Sequence, residues 1–370
     1  MYCFVSWFLF IMRTVTCRSR HFSVLLVLVT ISITLCGCFR LGPNRLDEDQ
    51  TGYSRALTTG EKRQTLLNIV RLRYGDTPTF LDPTQVISAY QVQRSLNGGF
   101  QLFPSARSST YLAGGGTIQM QESPTFTFQP VTGDAFAESF LRPLALSSLL
   151  PLALGGLPID VLFRLSLQRI NRLQNASSLS SKTDKGSPDF YLLIHDLRLL
   201  QVGGLLDVKI EGNGRGRIYL SITTTSDPDL RAATDETKQL LGMRPRSMGS
   251  ELVFGTNPYR PGQISILSRS MLGILSQVAF QVEVPRQDIE TGLTLQTVNE
   301  VGREKRPVII IHSGMTSPKD AFTSVEYNDK VFWVNNNDFD SKLAFTTLQI
   351  LLALAKTSTA PNTVVTIPAG

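Results

Sequence analysis

Apolar residues in this chain recur at two different spacings, and the alternation between them predicts its elements. Leu66, Leu67, Ile69 and Val70 follow a helical period and predict a helix over about 60–73. Thr58 with Glu61 three residues on reads as its capping box, Arg71 and Arg73 suit its negative C-terminal end, and Gly75 reads as the residue just past it. Thr132-Gly133-Asp134 caps a short helix running to Leu141, ahead of Pro143. Ile159, Leu162, Phe163, Leu165, Leu167 and Ile170 predict a helix over about 158–173, and Phe190, Leu193, Ile194, Leu197 and Leu200 another over about 189–201. Further helices are expected at about 228–241, 268–281 and 339–356, the last capped by Asp338 or Asp340.

Strand-like alternation fills the intervals. Residues 85–129, rich in Thr, Gln, Phe and Tyr, read as several antiparallel strands broken at Gly98-Gly99 and Gly114–Gly116. Leu206, Val208 and Ile210 followed by Ile218, Leu220 and Ile222 predict a hairpin around Glu211–Gly216. Strands are also expected at 264–267, at Val308–Ile311, as a hairpin over 321–334 turning at Asn328-Asp329, and at Thr363–Ile367. The Ser-rich stretch 174–188 and the charged stretch 296–306 read as surface loops. Helix and strand runs interleave without regular βαβ spacing, which gives an α+β class: antiparallel sheets packed against several amphipathic helices, among them 158–173, 189–201 and 339–356.

Composition narrows the class further. The chain has 370 residues, 42% hydrophobic and 18% charged, which excludes a disordered or fibrous protein. Its apolar content is unevenly placed at the N-terminus, where residues 1–38 carry no Asp or Glu. Arg13, Arg18, Arg20 and His21 precede an apolar run of 14 residues, Phe22–Leu35. As a helix that run spans about 21 Å against a hydrocarbon core of about 30 Å, too short to cross comfortably and suited to a signal-peptide core. The separate apolar patch 1–12 ahead of the arginines is unusual for such a signal, and a start at Met12 gives a conventional layout.

The run ends in Leu35-Cys36-Gly37-Cys38, which resembles the bacterial lipobox. The resemblance implies cleavage between Gly37 and Cys38, with Gly37 fitting a narrow peptidase groove and the Cys38 thiol taking a diacylglyceryl group. Cys36 departs from the usual Ala or Ser but is small. An uncleaved membrane anchor is the alternative. Position 39 is Phe rather than Asp, and the sorting behaviour of enteric-type lipoproteins then implies the outer membrane, facing the periplasm.

Cleavage changes the cysteine and charge arithmetic. Cys3, Cys17 and Cys36 leave with the leader, and of the remaining 333 residues only Cys38 is a cysteine. A disulfide, a Cys-ligated zinc or a catalytic thiol in the folded part is thereby excluded. The mature chain holds 33 basic and 30 acidic residues, so its net charge of +3 gives no electrostatic case for nucleic-acid binding. The expected organisation is a leader over 1–37, a flexible tether over 38–60, and an α+β region over 61–370, as one body or as two divided near 225–250. In the mature part, NIVRLRYGDTPTFLD (68–82), PTFTFQPVTGDAFAESFL (124–141) and VFWVNNNDFDSKLAF (331–345) resemble segments of uncharacterised proteobacterial envelope lipoproteins. That resemblance implies a location, not a reaction.

Candidate chemistry is sparse. His195-Asp196 sits on a predicted helix, where neighbours point about 100° apart and cannot form a local dyad. His312 precedes Ser313 in an extended segment, so the two side chains face opposite ways and a Ser–His pair is disfavoured. Glu211–Gly216 lies between strands rather than before a helix, which makes it a hairpin loop rather than a phosphate loop. Asn335–Asp340 lacks the Gly and Glu of a calcium loop and reads as a turn with a helix cap. Asn175-Ala176-Ser177 is a glycosylation sequon by pattern alone. Leu144–Leu157 and Leu343–Ala355 are Leu-rich but shorter than a membrane span, so they read as core, with a partner or membrane contact as the alternative. No catalytic residue, cofactor or metal ligand is assigned. The leading expectation is a lipid-anchored cell-envelope protein with a binding or scaffolding role, touching the membrane through acyl chains on Cys38 and meeting an envelope protein partner. The alternative is a periplasmic hydrolase with an unrecognised active site.

Overall fold

Pro43 occupies the first position of a helix, where its fixed φ and missing N–H cost nothing, and the chain then meets no other proline until Pro78. The result is α1, Pro43–Arg73, longer at its N-terminal end than the 60–73 expected from the apolar stripe. Gly52 and Gly60 each cost about 1 kcal/mol of helix propensity without breaking it. Thr58 is not a cap but mid-helix, its hydroxyl donating to the Ser54 carbonyl at 2.9 Å. In the computed structural model the described residues are 43–100, 112–177, 185–211, 216–244, 249–298, 301–302 and 305–356. The expected leader, Gly37, Cys38 and the expected strand at Thr363–Ile367 lie outside them. The chain divides into two units, Met1–Gly60 and Glu61–Gly370, and the second holds every further element.

From Glu61 onward α1 buries Leu66, Ile69 and Val70. Its end is a Schellman motif: Gly75 adopts φ +78°, the Asp76 N–H reaches the Arg71 carbonyl at 2.8 Å, and the Gly75 N–H reaches Leu72 at 3.3 Å. Buried Asn68 pairs reciprocally with the Thr79 backbone, donating to its carbonyl at 2.8 Å and accepting from its N–H at 2.9 Å, which fastens the returning chain along the helix. Two long strands follow, β1 (Leu81–Phe100) and β2 (Leu112–Pro130), paired antiparallel as one hairpin rather than the several strands expected. Of the glycines read as breakers, Gly98 faces Gly114 in the ladder, while Gly99, Gly115 and Gly116 face Ala113, Asn97 and Leu96.

Helix α2 (Gly133–Phe136) runs into a π-helical turn, Ala137–Leu141, whose Phe140 stacks on Phe80 at 3.8 Å between ring centroids. Then come α3 (Leu146–Leu154), α4 (Ile159–Ser166), β3 (Leu167–Ile170) and β4 (Leu173–Gln174). The sequence predicts one helix over 158–173; the structure ends it at Ser166. The cause lies a hundred residues downstream. Arg269, 5% exposed, sends Nη1 to the carbonyls of Arg164 (3.1 Å) and Leu165 (3.0 Å) and Nη2 to that of Ala176 (2.6 Å), while its backbone N–H takes the Ser166 carbonyl at 2.6 Å. The Arg269 guanidinium, with the Asn175 amide on Arg164 and Leu167, thus satisfies the last turn of α4 and frees Leu167–Ile170 to join a sheet. Burial pushes its pKa down to about 10.

That sheet has six strands in the order β4-β3-β8-β7-β6-β5, with β5 (Leu206–Glu211), β6 (Arg217–Ile222), β7 (Ser250–Phe254) and β8 (Ile264–Ser268). Its pairs are antiparallel except β7 with β8, so the sheet is mixed where an antiparallel one was expected. Helices α5 (Pro188–Val202) and α6 (Pro228–Leu241) match their expected spans. Ser187 and Asp227 cap them by accepting from backbone N–H groups, each followed by proline. Gly242, at φ +66°, ends α6.

The remaining elements are α7 (Met271–Ala279), α8 (Arg286–Glu290), β9 (His312–Gly314), β10 (Thr323–Tyr327), β11 (Lys330–Val334) and α9 (Phe339–Lys356). Strands β10-β11-β9 form a second, antiparallel sheet. Asn328 and Asp329, at φ +49° and +60°, make the two-residue turn that the sequence predicts. Val308–Ile311 is not a strand, although Val308, Ile309 and Ile311 are buried. Helix α9 is core: Phe345, Leu348 and Leu351 are fully buried. Helices and a mixed plus an antiparallel sheet make the fold α+β.

Candidate functional site

The six-stranded sheet presents one face to α3, α4 and α5, and the alternation along its strands makes that face carbon. Ile170, Ile266, Leu252, Leu220 and Val208, from five neighbouring strands, point to the same side. The helices return Leu150, Phe163 and Leu197, and between the layers a cavity of about 200 Å³ remains. Gln201 is the polar side chain in its wall, and its hydrogen bonds are all made. Nε2 donates to the carbonyls of Ala153 (2.6 Å) and Leu157 (2.8 Å); Oε1 accepts from the Ile159 N–H (3.1 Å) and from Arg198 Nη1 (2.7 Å). Gln201 therefore ties α5 to the α3–α4 connection. Sequence reading missed this cavity, because its lining comes from many separate elements and no local pattern marks it.

The second cluster surrounds His312. Its Nδ1 lies 2.8 Å from Glu283 Oε2, and its Nε2 lies 3.0 Å from Asn335 Nδ2. A carboxylate only accepts, so Nδ1 carries the proton. Asn335 in turn accepts from Trp333 Nε1 at 2.9 Å through Oδ1, which turns its amide nitrogen toward the imidazole and makes Nε2 an acceptor. Both ring nitrogens are committed. Ser313 sits opposite Phe332 in the ladder while His312 sits opposite Trp333, so their side chains leave opposite faces as the sequence predicts.

The third cluster is charged. Asp288, buried, accepts from Lys330 Nζ and from the Tyr74 hydroxyl at 2.6 Å. Burial, then the bond to Asp288, raises the Tyr74 phenol above its ordinary range. Neighbouring Arg73, also buried, gives Nη2 to the Leu295 carbonyl (2.6 Å) and to Thr297 Oγ1 (3.0 Å), and burial pushes its pKa down to about 10. These contacts bind the end of α1 to the 288–297 segment and to β11, a structural clamp.

The other sequence candidates disperse. His195 is exposed on α5 while Asp196 is buried on another face of the same helix. Glu211 and Arg217 are paired across the β5–β6 hairpin, whose tip 212–215 lies outside the described residues. In Asn335–Asp340, Asp338 accepts from the Ser341 N–H and from Arg306, so it caps α9 as expected. Asn175 is buried and donates Nδ2 to the carbonyls of Arg164 and Leu167, so its amide is closed to a glycan. Among the described residues no group of three or more His, Cys, Asp or Glu converges to hold a metal, and no described helix is long and apolar enough to cross a membrane. Compared with known protein families, characterised proteins and solved structures, the chain shows no significant match.

Proposed function

We propose that this chain is a lipid-anchored cell-envelope protein that works by binding, held at the outer membrane by acyl chains on Cys38 and facing the periplasm. The observation that supports binding is the carbon-lined cavity under α3, α4 and α5: the sheet and helices leave room there and offer an apolar surface. The competing hydrolase reading has less support, because the imidazole of His312 is engaged at both nitrogens and Ser313 faces away. An envelope protein partner belongs to the same reading.

The anchoring rests on Leu35–Cys38 and is tested there. A single acyl chain gives reversible membrane binding and two or three give effectively permanent binding, at about 0.8 kcal/mol per buried methylene. Cys38→Ala is expected to leave uncleaved precursor, to block palmitate labelling and to abolish the 333-residue form. A Cys38→Ala variant that still matures to the same mass and stays in the membrane overturns the reading. Affinity capture of the acylated protein from membranes addresses the partner: one stoichiometric envelope protein supports it, and a clean monomer counts against it.

A further inference from the structure

We infer that the cavity between the six-stranded sheet and α3, α4 and α5 takes the hydrocarbon end of a single-chain carboxylate, a fatty acid. This deepens the binding reading and rests on it, but not on the anchoring through Cys38.

The wall decides the chemistry. Gln201 has spent both amide hydrogens and both oxygen lone pairs on Ala153, Leu157, Ile159 and Arg198. No side chain in the wall has a hydrogen bond to spare, and most of the exposed wall is carbon, so a hydrocarbon is what the buried part best accepts. Water gains nothing there either, since an ordered water needs two to four polar partners and apolar cavities of comparable size stay dry. The volume decides the size. A cavity of about 200 Å³ is close to the apolar cavities of about 150 Å³ that take one benzene-sized molecule, so it holds the end of a single chain. The paired chains of a phospholipid do not fit.

The rim decides the direction of entry. Strand β5 is the outer strand of the sheet, and Leu206, Val208 and Ile210 lie on its cavity side. Ile210 is 39% exposed and Leu154, at the end of α3, is 49% exposed. Together they extend the apolar wall out to solvent. A cation stands one hydrogen bond behind Gln201 of the wall. Arg198 is half-buried, is 2.7 Å from the Gln201 oxygen and reaches Asp160 only at 3.8 Å. A guanidinium one hydrogen bond from the cavity wall suits a carboxylate head that stays at the surface.

The test uses the full-length protein in lipid nanodiscs with a fatty acid bearing a photoreactive diazirine near its methyl end. Adducts are mapped by peptide mass, and intact mass reports Cys38 acylation in the same sample. Adducts are expected on the segments holding Phe163, Val208 and Leu220, and unlabelled decanoate is expected to compete them away. Val208→Trp, which fills the cavity from an outer strand, is expected to cut labelling at least tenfold with the thermal midpoint kept; Ala153→Leu serves if that variant does not fold. Asp207→Asn, on the opposite face, is expected to leave labelling unchanged. Arg198→Leu is expected to weaken competition by decanoate but not by decanol. Adducts confined to other surfaces, or full labelling of a folded Val208→Trp, overturn the proposal, as does competition by phospholipid but not by free acid. Acylated protein without cavity adducts overturns the ligand alone. Cavity adducts on unacylated protein support the ligand and overturn the anchoring.

Discussion

Lys330 places its Nζ 2.6 Å from Oδ1 and 2.7 Å from Oδ2 of Asp288, a carboxylate that the fold otherwise encloses. Removing one partner strands the other. Asp288→Ala is expected to destabilise the protein by about 3 kcal/mol, the lower end for a broken buried pair because the Lys330 side chain keeps 25% exposure. Tyr74→Phe, which removes one hydrogen bond to the same carboxylate, is expected to cost about 1 kcal/mol. Urea midpoints at pH 7 check both. A cost below about 1 kcal/mol for Asp288→Ala contradicts the clamp.

Acid should find the same pair. Burial alone would raise the Asp288 carboxyl, but the bonds from Lys330 and Tyr74 and the ammonium charge outweigh it and hold it below the usual range. Asp338 is likewise lowered, burial being outweighed by its bonds to Ser341 and Arg306. A depressed carboxyl stabilises the fold above its unfolded value, about pH 3.9, and loses that contribution as pH falls through the lower folded value. Stability should therefore drop below about pH 4, and less steeply in an Asp288→Asn, Asp338→Asn double variant. Denaturation midpoints measured from about pH 6 down to about pH 2 test this, and parallel curves refute it.

Arg269 is the second structural cation. Arg269→Met leaves the carbonyls of Leu165 and Ala176 without their side-chain donor and the Arg164 carbonyl with Asn175 alone, at an expected cost of about 3 kcal/mol. Arg269→Lys should recover less than half, because an ammonium cannot reproduce the planar fork. Equal stability of the Lys and Arg forms would show that charge rather than geometry matters.

Helix α9 offers a test of burial. Leu348 is fully enclosed, so Leu348→Ala is expected to cost about 2–5 kcal/mol with an unchanged urea m-value. Asp338→Ala, removing the cap of the same helix, should cost about 1 kcal/mol. A small loss for Leu348→Ala would return this helix to the role of a partner-facing surface.

Elements with local punctuation were legible in the sequence. Asp338 opens α9, and Asn328-Asp329 turns β10 into β11; each signal is complete within a few residues. The first half of α1 was not, because residues 43–59 carry no apolar stripe and helical propensity alone reads as linker. Leu167 and Ile170 continue the helical spacing of Leu162 and Phe163, and only Arg269 shows where that helix must stop. The imidazole cluster was half legible. His312 and Ser313 were placed correctly on opposite faces, but Glu283 and Asn335 stand 29 and 23 residues away and no spacing rule joins them. The cavity was hidden for the same reason.

Strand β8 lies between β3 and β7, yet it is the last strand of its sheet to be made. Until Ser268 has emerged from the ribosome, the ladder can form only as two fragments, β3–β4 and β5–β6–β7, each with an unpaired edge. Closing it joins segments about a hundred residues apart, a high-contact-order step that sets a slow clock on folding. During that interval the edges of β3 and β7 are open templates for other strands.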